Sequence, residues 1–362
     1  MKNKKILIFS HEFPPFGGGA GVVAYQYCME LEKLGYDITL LTRNQNTFSN
    51  ELRGVNIVGV PYIPKLWFIS YAIKLKKFNL EQFDTIILND IGAGFVAGKY
   101  FDKSSLKKTI PILHGSEPEH IYRFPSILFK FMKFQSFYEK MLQESKKIVA
   151  VSNYMKEKFL EETTFTQKSK IEVIYSGLSN DFFIDEKVDC HNLFKYDNKE
   201  IILSVSRIEK KKGFLDKYEI FKKLIENDDS YIWVIVGDGK FKSEFEELVH
   251  KDKLETKVIF KGRVPRNKLQ QYYKCVDVFW LLSQYKESFG LVYLEAQTYG
   301  CPAIGLNKYG VKEAIEDEVS GFLVDSVEES FDILKNKKYR ELKEENILNF
   351  SNKFHLNSHI LF

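Results

Sequence analysis

Glu287 and Glu295, eight positions apart in the segment ESFGLVYLE, are the residues whose types and spacing point most directly to chemistry. Ser288 is placed to cap a helix starting near Phe289, its hydroxyl accepting one of the free N–H groups there. Gly290 and Leu291 would then offer N–H groups at the positive end of that helix, which suits an anion. Glu287 falls just before the helix and Glu295 about two turns along it. The two carboxylates would therefore reach different parts of one elongated ligand, accepting hydroxyls of a sugar or a ribose. The stretch LVYL between them is apolar, so Glu295 is expected in a buried environment.

Three further segments could supply the remainder of an anion and hydroxyl site. In RIEKKKG the fixed cations Arg207 and Lys212 could converge on a diphosphate through charge-assisted bonds. In HEFPPFGGGAG the residues Gly17, Gly18, Gly19 and Gly21 let the backbone approach a ligand, and the helix that follows points its N-terminus at it. That segment is not the nicotinamide fingerprint, because the spacing and the following acidic residue do not fit. His114, in ILHG, sits at a strand end where it could hydrogen-bond a substrate. Each has a plain structural counterpart: a tight turn, a solvated lysine run, a satisfied histidine.

The elements that must position these residues alternate between short apolar strands and helices. Strands are expected at Lys5–Ser10, Asp37–Thr42, Thr85–Leu88, Thr109–Leu113 and Lys147–Val151, with helices near Gly21–Leu34 and Asn153–Glu162. After residue 198 the pattern restarts with Glu200–Val205, Tyr231–Val236, Lys257–Phe260, Val276–Leu282 and Pro302–Gly305. Near-continuous apolar strands separated by helices signal parallel sheets covered on both faces. The fold class expected is α/β, with two Rossmann-like doubly wound domains facing a central cleft. The polar stretch 181–199 is expected to be the linker. The domains are expected at 1–185 and 186–340, with a C-terminal helix over 341–362 crossing back to the first. Most of the chemical residues fall at strand C-termini, where such sheets bind ligands.

Composition excludes several classes. No apolar run approaches the ~20 residues of a membrane span, and the start MKNKKILIFS is too short in its apolar part for a signal peptide. The formal net charge of +4 is concentrated in the N-terminal half and is too small for a nucleic-acid-binding face. The four cysteines are widely spaced, so neither a disulfide nor a zinc site is expected, and a cytoplasmic setting is the simplest.

Taken together, HEFPPFGGGAGVVA, ILHGSEP, VAVSNYMKEKF, IEVIYSGLSNDFF, LSVSRIEKKKGF, VIVGDGKFKSEFEELV, VIFKGRV, KESFGLVYLEAQTYGCPAIG and SGFLV resemble the family-four retaining glycosyltransferases of GT-B fold, in the family's order and over nearly the whole chain. ESFGLVYLE matches the family's E-x7-E motif, and Arg207 with Lys212 matches its R-x4-K. The resemblance implies a nucleotide-sugar donor, with UDP favoured over GDP. It places Gly18 and Gly19 at the diphosphate, and Arg207 and Lys212 on the charge of the leaving group. Glu287 would hold the donor sugar, with Ser288, Phe289, Gly290 and Leu291 near sugar and phosphate. Glu295 would hold the ribose. His114 would contact the transferred sugar, and Gly237, Gly239, Lys261 and Arg263 would line the nucleotide pocket. No D-x-D motif is present, so no metal is expected. Two departures bear on the donor sugar: the family's Asn-Gly turn is Tyr175-Ser176-Gly177-Leu178, and its GGxPE loop is Tyr309-Gly310-Val311-Lys312-Glu313.

The acceptor is expected to be a saccharide or a lipid-linked saccharide. The segments 64–78 and 122–147 combine lysines with aromatics, including Trp67, Phe68, Phe129, Lys130, Phe131 and Lys133, a composition that suits peripheral contact with an anionic membrane. The alternatives are a non-catalytic sugar-nucleotide-binding subunit and another enzyme on the same fold, such as a nucleotide-sugar epimerase.

Overall fold

Runs such as ILIF and YIWVIV are apolar on both faces of a strand, which only a sheet covered on both sides can bury. The computed structural model describes residues 4–15, 18–44, 52–179, 187–194, 196 and 198–356. Gly17 and residues 181–186, 195 and 197 of the expected linker lie outside the described residues. The chain divides into two units, Met1–Ser179 with Leu356–Phe362, and Asn180–His355.

The first unit contains β1 (Lys5–Phe9), β2 (Asp37–Arg43), β3 (Asn56–Val60), β4 (Thr85–Leu88), β5 (Thr109–Leu113), β6 (Ile148–Ala150) and β7 (Ile171–Val173). Their order in the sheet is β3-β2-β1-β4-β5-β6-β7. The second contains β8 (Glu200–Val205), β9 (Tyr231–Val236), β10 (Val258–Gly262), β11 (Val278–Leu281), β12 (Ala303–Leu306) and β13 (Gly321–Val324), ordered β10-β9-β8-β11-β12-β13. Every neighbouring pair is parallel. Each order reverses once, between β1 and β4 and between β8 and β11. Connections leave such a switch point on opposite faces, which opens a crevice beyond the strand C-termini.

The central strands lie within one or two residues of their expected bounds. β3, β7 and β13 were not expected as strands, and all three are sheet edges. An edge strand is covered on fewer sides, so its pattern is short and mixed: NIVGV is mostly half-buried and Glu172 of β7 is exposed.

Two expectations are corrected here. Cys190 and Cys275 form a disulfide, with Cα atoms 5.2 Å apart across 85 residues of sequence. Packing brings them together: the helix Cys190–Phe194 lies against the helix Arg266–Lys274, with the Phe194 and Tyr272 rings 5.7 Å apart. Sequence spacing carries no trace of that contact. Cys28 and Cys301 are buried free thiols. The second correction concerns Ser288, which caps no helix. The helix spans Leu291–Gln297, with Gly290 before it at φ +103°. The helix Glu344–Asn352 packs within the second unit, where Phe354 joins both Phe350 and Phe289. The chain rejoins the first unit at Leu356, whose N–H donates to the Leu178 carbonyl at 2.8 Å.

Candidate active site

The loops that follow β8 and β11 meet at the switch point of the second sheet. After β8 the chain passes Arg207 and turns through Lys210–Lys212 into the helix Phe214–Asn227. After β11 it passes Ser283 and reaches Glu287. Glu287 Oε1 accepts from Lys212 Nζ at 2.5 Å and from Ser283 Oγ at 2.6 Å. The Lys212 and Glu287 side chains are only 13% and 22% exposed, so this is a charge-assisted bond in a partly dry site. Glu287 Oε2 has no partner among the described residues, and a hydroxyl could donate to it. Arg207 extends into solvent and reaches Glu209 at 2.8 Å, whose other oxygen accepts from Tyr285 OH at 2.6 Å. The Tyr285 ring centre lies 5.4 Å from Lys212 Nζ. Both fixed cations are thus tied to one tyrosine, and neither Ser283, Glu209 nor Tyr285 was singled out from sequence. Their common signal is position, within a few residues of a strand C-terminus at the switch point.

The departing loop at Tyr309–Glu313 is part of this constellation. Gly310 N–H donates to the Glu287 carbonyl at 2.9 Å. A Cβ at Gly310 would lie 2.1 Å from the Ser288 carbonyl oxygen, so only glycine allows this approach. Phe289 is buried against Phe354, and Gly290 and Leu291 stand at the start of the helix Leu291–Gln297.

Glu295 is buried, as its apolar surroundings imply. Its Oε1 lies 2.7 Å from Arg266 Nη2, and its Oε2 accepts from Tyr273 OH at 2.9 Å. Both oxygens therefore have an internal partner, which sequence reasoning did not anticipate. Gly237 follows β9 at φ +139°, where a Cβ would strike the Ser206 carbonyl oxygen at 1.9 Å. Gly239 N–H donates to Asp238 Oδ1 at 2.8 Å, and exposed Arg263 lies 3.4 Å from Asp238 Oδ2. Lys261 Nζ stands 5.9 Å from the Phe194 ring centre.

In the first unit the switch point carries the Gly-rich segment and His114. Gly18 precedes the helix Gly19–Lys33, and its N–H donates to Glu12 Oε2 at 2.9 Å. An anionic oxygen therefore occupies that helix start, in keeping with its positive end. At Gly19 an added Cβ would meet nothing within 4 Å, so space is open there. Asp90 organises the entry to the segment, accepting from Glu12 N–H at 3.0 Å and Ser10 Oγ at 3.2 Å. His114 follows β5 directly. Its N–H and that of Gly115 donate to the two oxygens of buried Glu117 at 2.8 and 2.7 Å. Burial lowers the His114 pKa to about 4, against a smaller opposing pull from Asp90. The imidazole is therefore neutral at physiological pH. Burial also raises the pKa of Glu117, partly offset by the N–H groups it accepts.

Comparison with known proteins places the chain. The family model for glycosyl transferases group 1 matches residues 186–346, and that for glycosyltransferase family 4 matches residues 17–182. The chain belongs to the family-four glycosyltransferases. An uncharacterized glycosyltransferase of Methanocaldococcus jannaschii is 27% identical, over 88% of this chain and 85% of that one. The N-acetyl-alpha-D-glucosaminyl L-malate synthase of Bacillus anthracis is 27% identical, over 85% and 81%. Among solved structures, Anabaena Alr3699/HepE in complex with UDP-glucose aligns at a TM-score of 0.78 and 18% identity, over 97% and 95% of the two chains. That likeness gives this glycosyltransferase the GT-B fold, built from its two parallel-sheet Rossmann-like units. The Lys212–Glu287 pair and the Gly237–Gly239 turn stand in the second unit, and Gly18, Gly19 and His114 in the first.

Proposed function

We propose that this glycosyltransferase is a retaining, hexosyltransferase-type enzyme that moves a sugar from a UDP-sugar to a saccharide or lipid-linked acceptor in cell-surface glycan biosynthesis. The observation that carries the reading is the Lys212–Glu287–Ser283 constellation at the switch point of the second sheet. Breaking the bond between the anomeric carbon and the diphosphate oxygen leaves negative charge on the diphosphate. Lys212 and Arg207 stabilise that charge as preorganised cations, the work a metal does elsewhere, so the reaction runs without one. Glu287 accepts hydroxyls of the donor sugar and Glu295 lies toward the ribose. Gly237, Gly239, Lys261 and Arg263 flank the nucleotide. His114 contacts the transferred sugar, and Gly18 and Gly19 approach the diphosphate. The acceptor hydroxyl forms the new bond on the face the diphosphate leaves, and its proton passes to the departing phosphate oxygen. Residues 186–340 act as the donor domain and 1–185 as the acceptor domain. UDP is favoured because the Anabaena protein binds UDP-glucose.

The acceptor domain also carries a surface suited to an anionic membrane. Phe124, Ile127 and Phe131 are 71%, 88% and 87% exposed beside exposed Arg123, Lys130 and Lys133. Exposed apolar side chains ringed by cations dock at such surfaces, which fits an enzyme at the cytoplasmic face of the membrane.

A thermal-shift screen with UDP, GDP and ADP, followed by UDP release from UDP-sugars, tests the donor assignment. A bound nucleotide stabilises by RT ln(1 + [L]/Kd), about 2.7 kcal/mol at a hundredfold excess over Kd. UDP alone should stand out, and release should need acceptor or water. A protein that binds UDP and releases none from any UDP-sugar is a binding subunit instead. Flotation with anionic vesicles tests the docking surface, and protein that stays at the bottom at low salt removes it.

A further inference from the structure

Asn89 follows β4 at the switch point of the first sheet, fully buried, and its amide is oriented by its neighbours. Its Nδ2 donates to the Ala20 carbonyl at 2.8 Å and to Ser10 Oγ at 3.0 Å. A carbonyl can only accept. The Ser10 hydroxyl already donates toward the Glu12 carbonyl and Asp90 Oδ2, at 2.5 and 3.2 Å, so its oxygen is left to accept. The amide therefore cannot be reversed, and its Oδ1 faces His114 Nε2 at 3.2 Å. Oδ1 has no proton to give, so Nε2 must carry one. His114 Nδ1 makes no hydrogen bond among the described residues, and with the proton on Nε2 it holds a lone pair.

We propose that Asn89 is a positioning residue that fixes His114 as the Nε2–H tautomer, leaving Nδ1 as the acceptor for a hydroxyl of the transferred sugar. The assignment deepens the transferase reading and rests on it for the identity of the ligand. Asn89 sets the ring, while Glu117 sets the backbone by taking the N–H groups of His114 and Gly115. Lys158 completes the frame, its Nζ donating to the Gly115 carbonyl at 2.5 Å and pairing with Glu119 at 2.8 Å. The same asparagine reaches Ala20 in the helix Gly19–Lys33, so the Gly-rich segment and His114 share one anchor. The charged groups around the ring are Asp90, which favours the imidazolium, and Glu117, whose oxygens serve backbone N–H groups. Burial outweighs Asp90 and keeps the ring neutral.

The test is a long-range proton–nitrogen spectrum of the full chain with labelled histidine, the His114 signals identified by their loss in His114→Gln. At neutral pH the wild type should show a protonated-type shift on Nε2 and an unprotonated-type shift on Nδ1. Asn89→Asp keeps an acceptor on Nε2 and adds a charge, so the His114 midpoint should rise by about one to three pH units with the tautomer retained. Asn89→Leu removes the side-chain acceptor and leaves the Asn89 backbone carbonyl in place, so the preference for Nε2–H should weaken and part of the proton population should move to Nδ1. UDP release should then fall roughly two- to tenfold in kcat with KM little changed, the scale of one neutral hydrogen bond. A wild-type proton on Nδ1, or an unchanged tautomer in Asn89→Leu, overturns the proposal. Should Asn89→Leu fail to fold, the wild-type spectrum and the Asn89→Asp midpoint decide it. The spectra need no turnover. The expected tautomer in a chain that transfers no sugar defeats the transferase reading alone, whereas transfer with the proton on Nδ1 defeats this one alone.

Discussion

Replacing Glu295 separates a ligand from a strut. The carboxylate is 3% exposed, with Arg266 at 2.7 Å and the fully buried Tyr273 hydroxyl at 2.9 Å. Glu295→Ala leaves the Tyr273 hydroxyl without its acceptor and takes the carboxylate away from Arg266. Breaking a buried pair costs about 3–5 kcal/mol. Arg266 is 27% exposed and regains some water, which points to the lower end. An orphaned Tyr273 hydroxyl adds about 1 kcal/mol or more. The expected loss is therefore ~4 kcal/mol for Glu295→Ala and ~2 kcal/mol for Glu295→Gln, which keeps one acceptor oxygen. Urea unfolding in a Trp67→Phe background measures it, because fluorescence then reports the second unit through Trp233 and Trp280. UDP affinity is measured on the same variants by titration. If Glu295 is both strut and ribose ligand, stability and affinity fall together. A Glu295→Ala protein within ~0.5 kcal/mol of the parent, the range of an ordinary surface change, would refute the internal pair. The double replacement Arg266→Met with Glu295→Leu should recover most of the stability, since removing both charges leaves neither unpaired, and it should not recover UDP affinity.

Three other outcomes follow from particular contacts. Glu287→Ala should abolish sugar transfer while UDP binding by titration stays largely intact, and equal loss of both would remove Glu287 from the sugar. Lys217 is fully buried among Phe214, Trp233 and Trp280, donating to Ser204 Oγ at 2.9 Å and the Trp280 carbonyl at 3.1 Å. Burial, with Lys212 adding to it, pushes its pKa well below the ordinary value. The unfolded chain then binds the extra proton between that lowered value and 10.5, so this lysine costs stability at neutral pH and the cost fades as pH rises toward 10.5. Lys217→Met should therefore gain about 1–3 kcal/mol at neutral pH, with the gain shrinking in alkaline unfolding curves; a gain independent of pH would contradict the assignment. Thiol titration of the denatured, unreduced chain should find Cys28 and Cys301 alone, and opening the 85-residue loop by Cys190→Ser should lower stability by about 2–4 kcal/mol; four titrating thiols would contradict the pairing.

What could be seen from sequence follows from how far each feature reaches along the chain. Central strands are written locally, because burial on both faces demands an unbroken apolar run, and Glu200–Val205 and Tyr231–Val236 were legible to the residue. The edge strand Ile171–Val173 was not, since half its surroundings are solvent. The candidate site shows the same division. Glu287, Lys212 and His114 could be singled out because strand ends and turn residues mark them locally. The Glu287–Lys212 bond spans 75 positions, Asn89 to His114 spans 25, and Cys190 to Cys275 spans 85. The first two exist only once a sheet order has brought two strand-end loops together, and the third only once two helices have packed. Ser288 shows the opposite error: a serine before a helix satisfies the local rule for a cap. The competing demand was the approach of Gly310 to the Ser288 carbonyl, which holds that backbone in the loop and starts the helix two residues later, after Gly290. Local rules therefore identify the groups able to do chemistry, while their partners, and with them each group's charge and free lone pair, are set by the topology of the sheet.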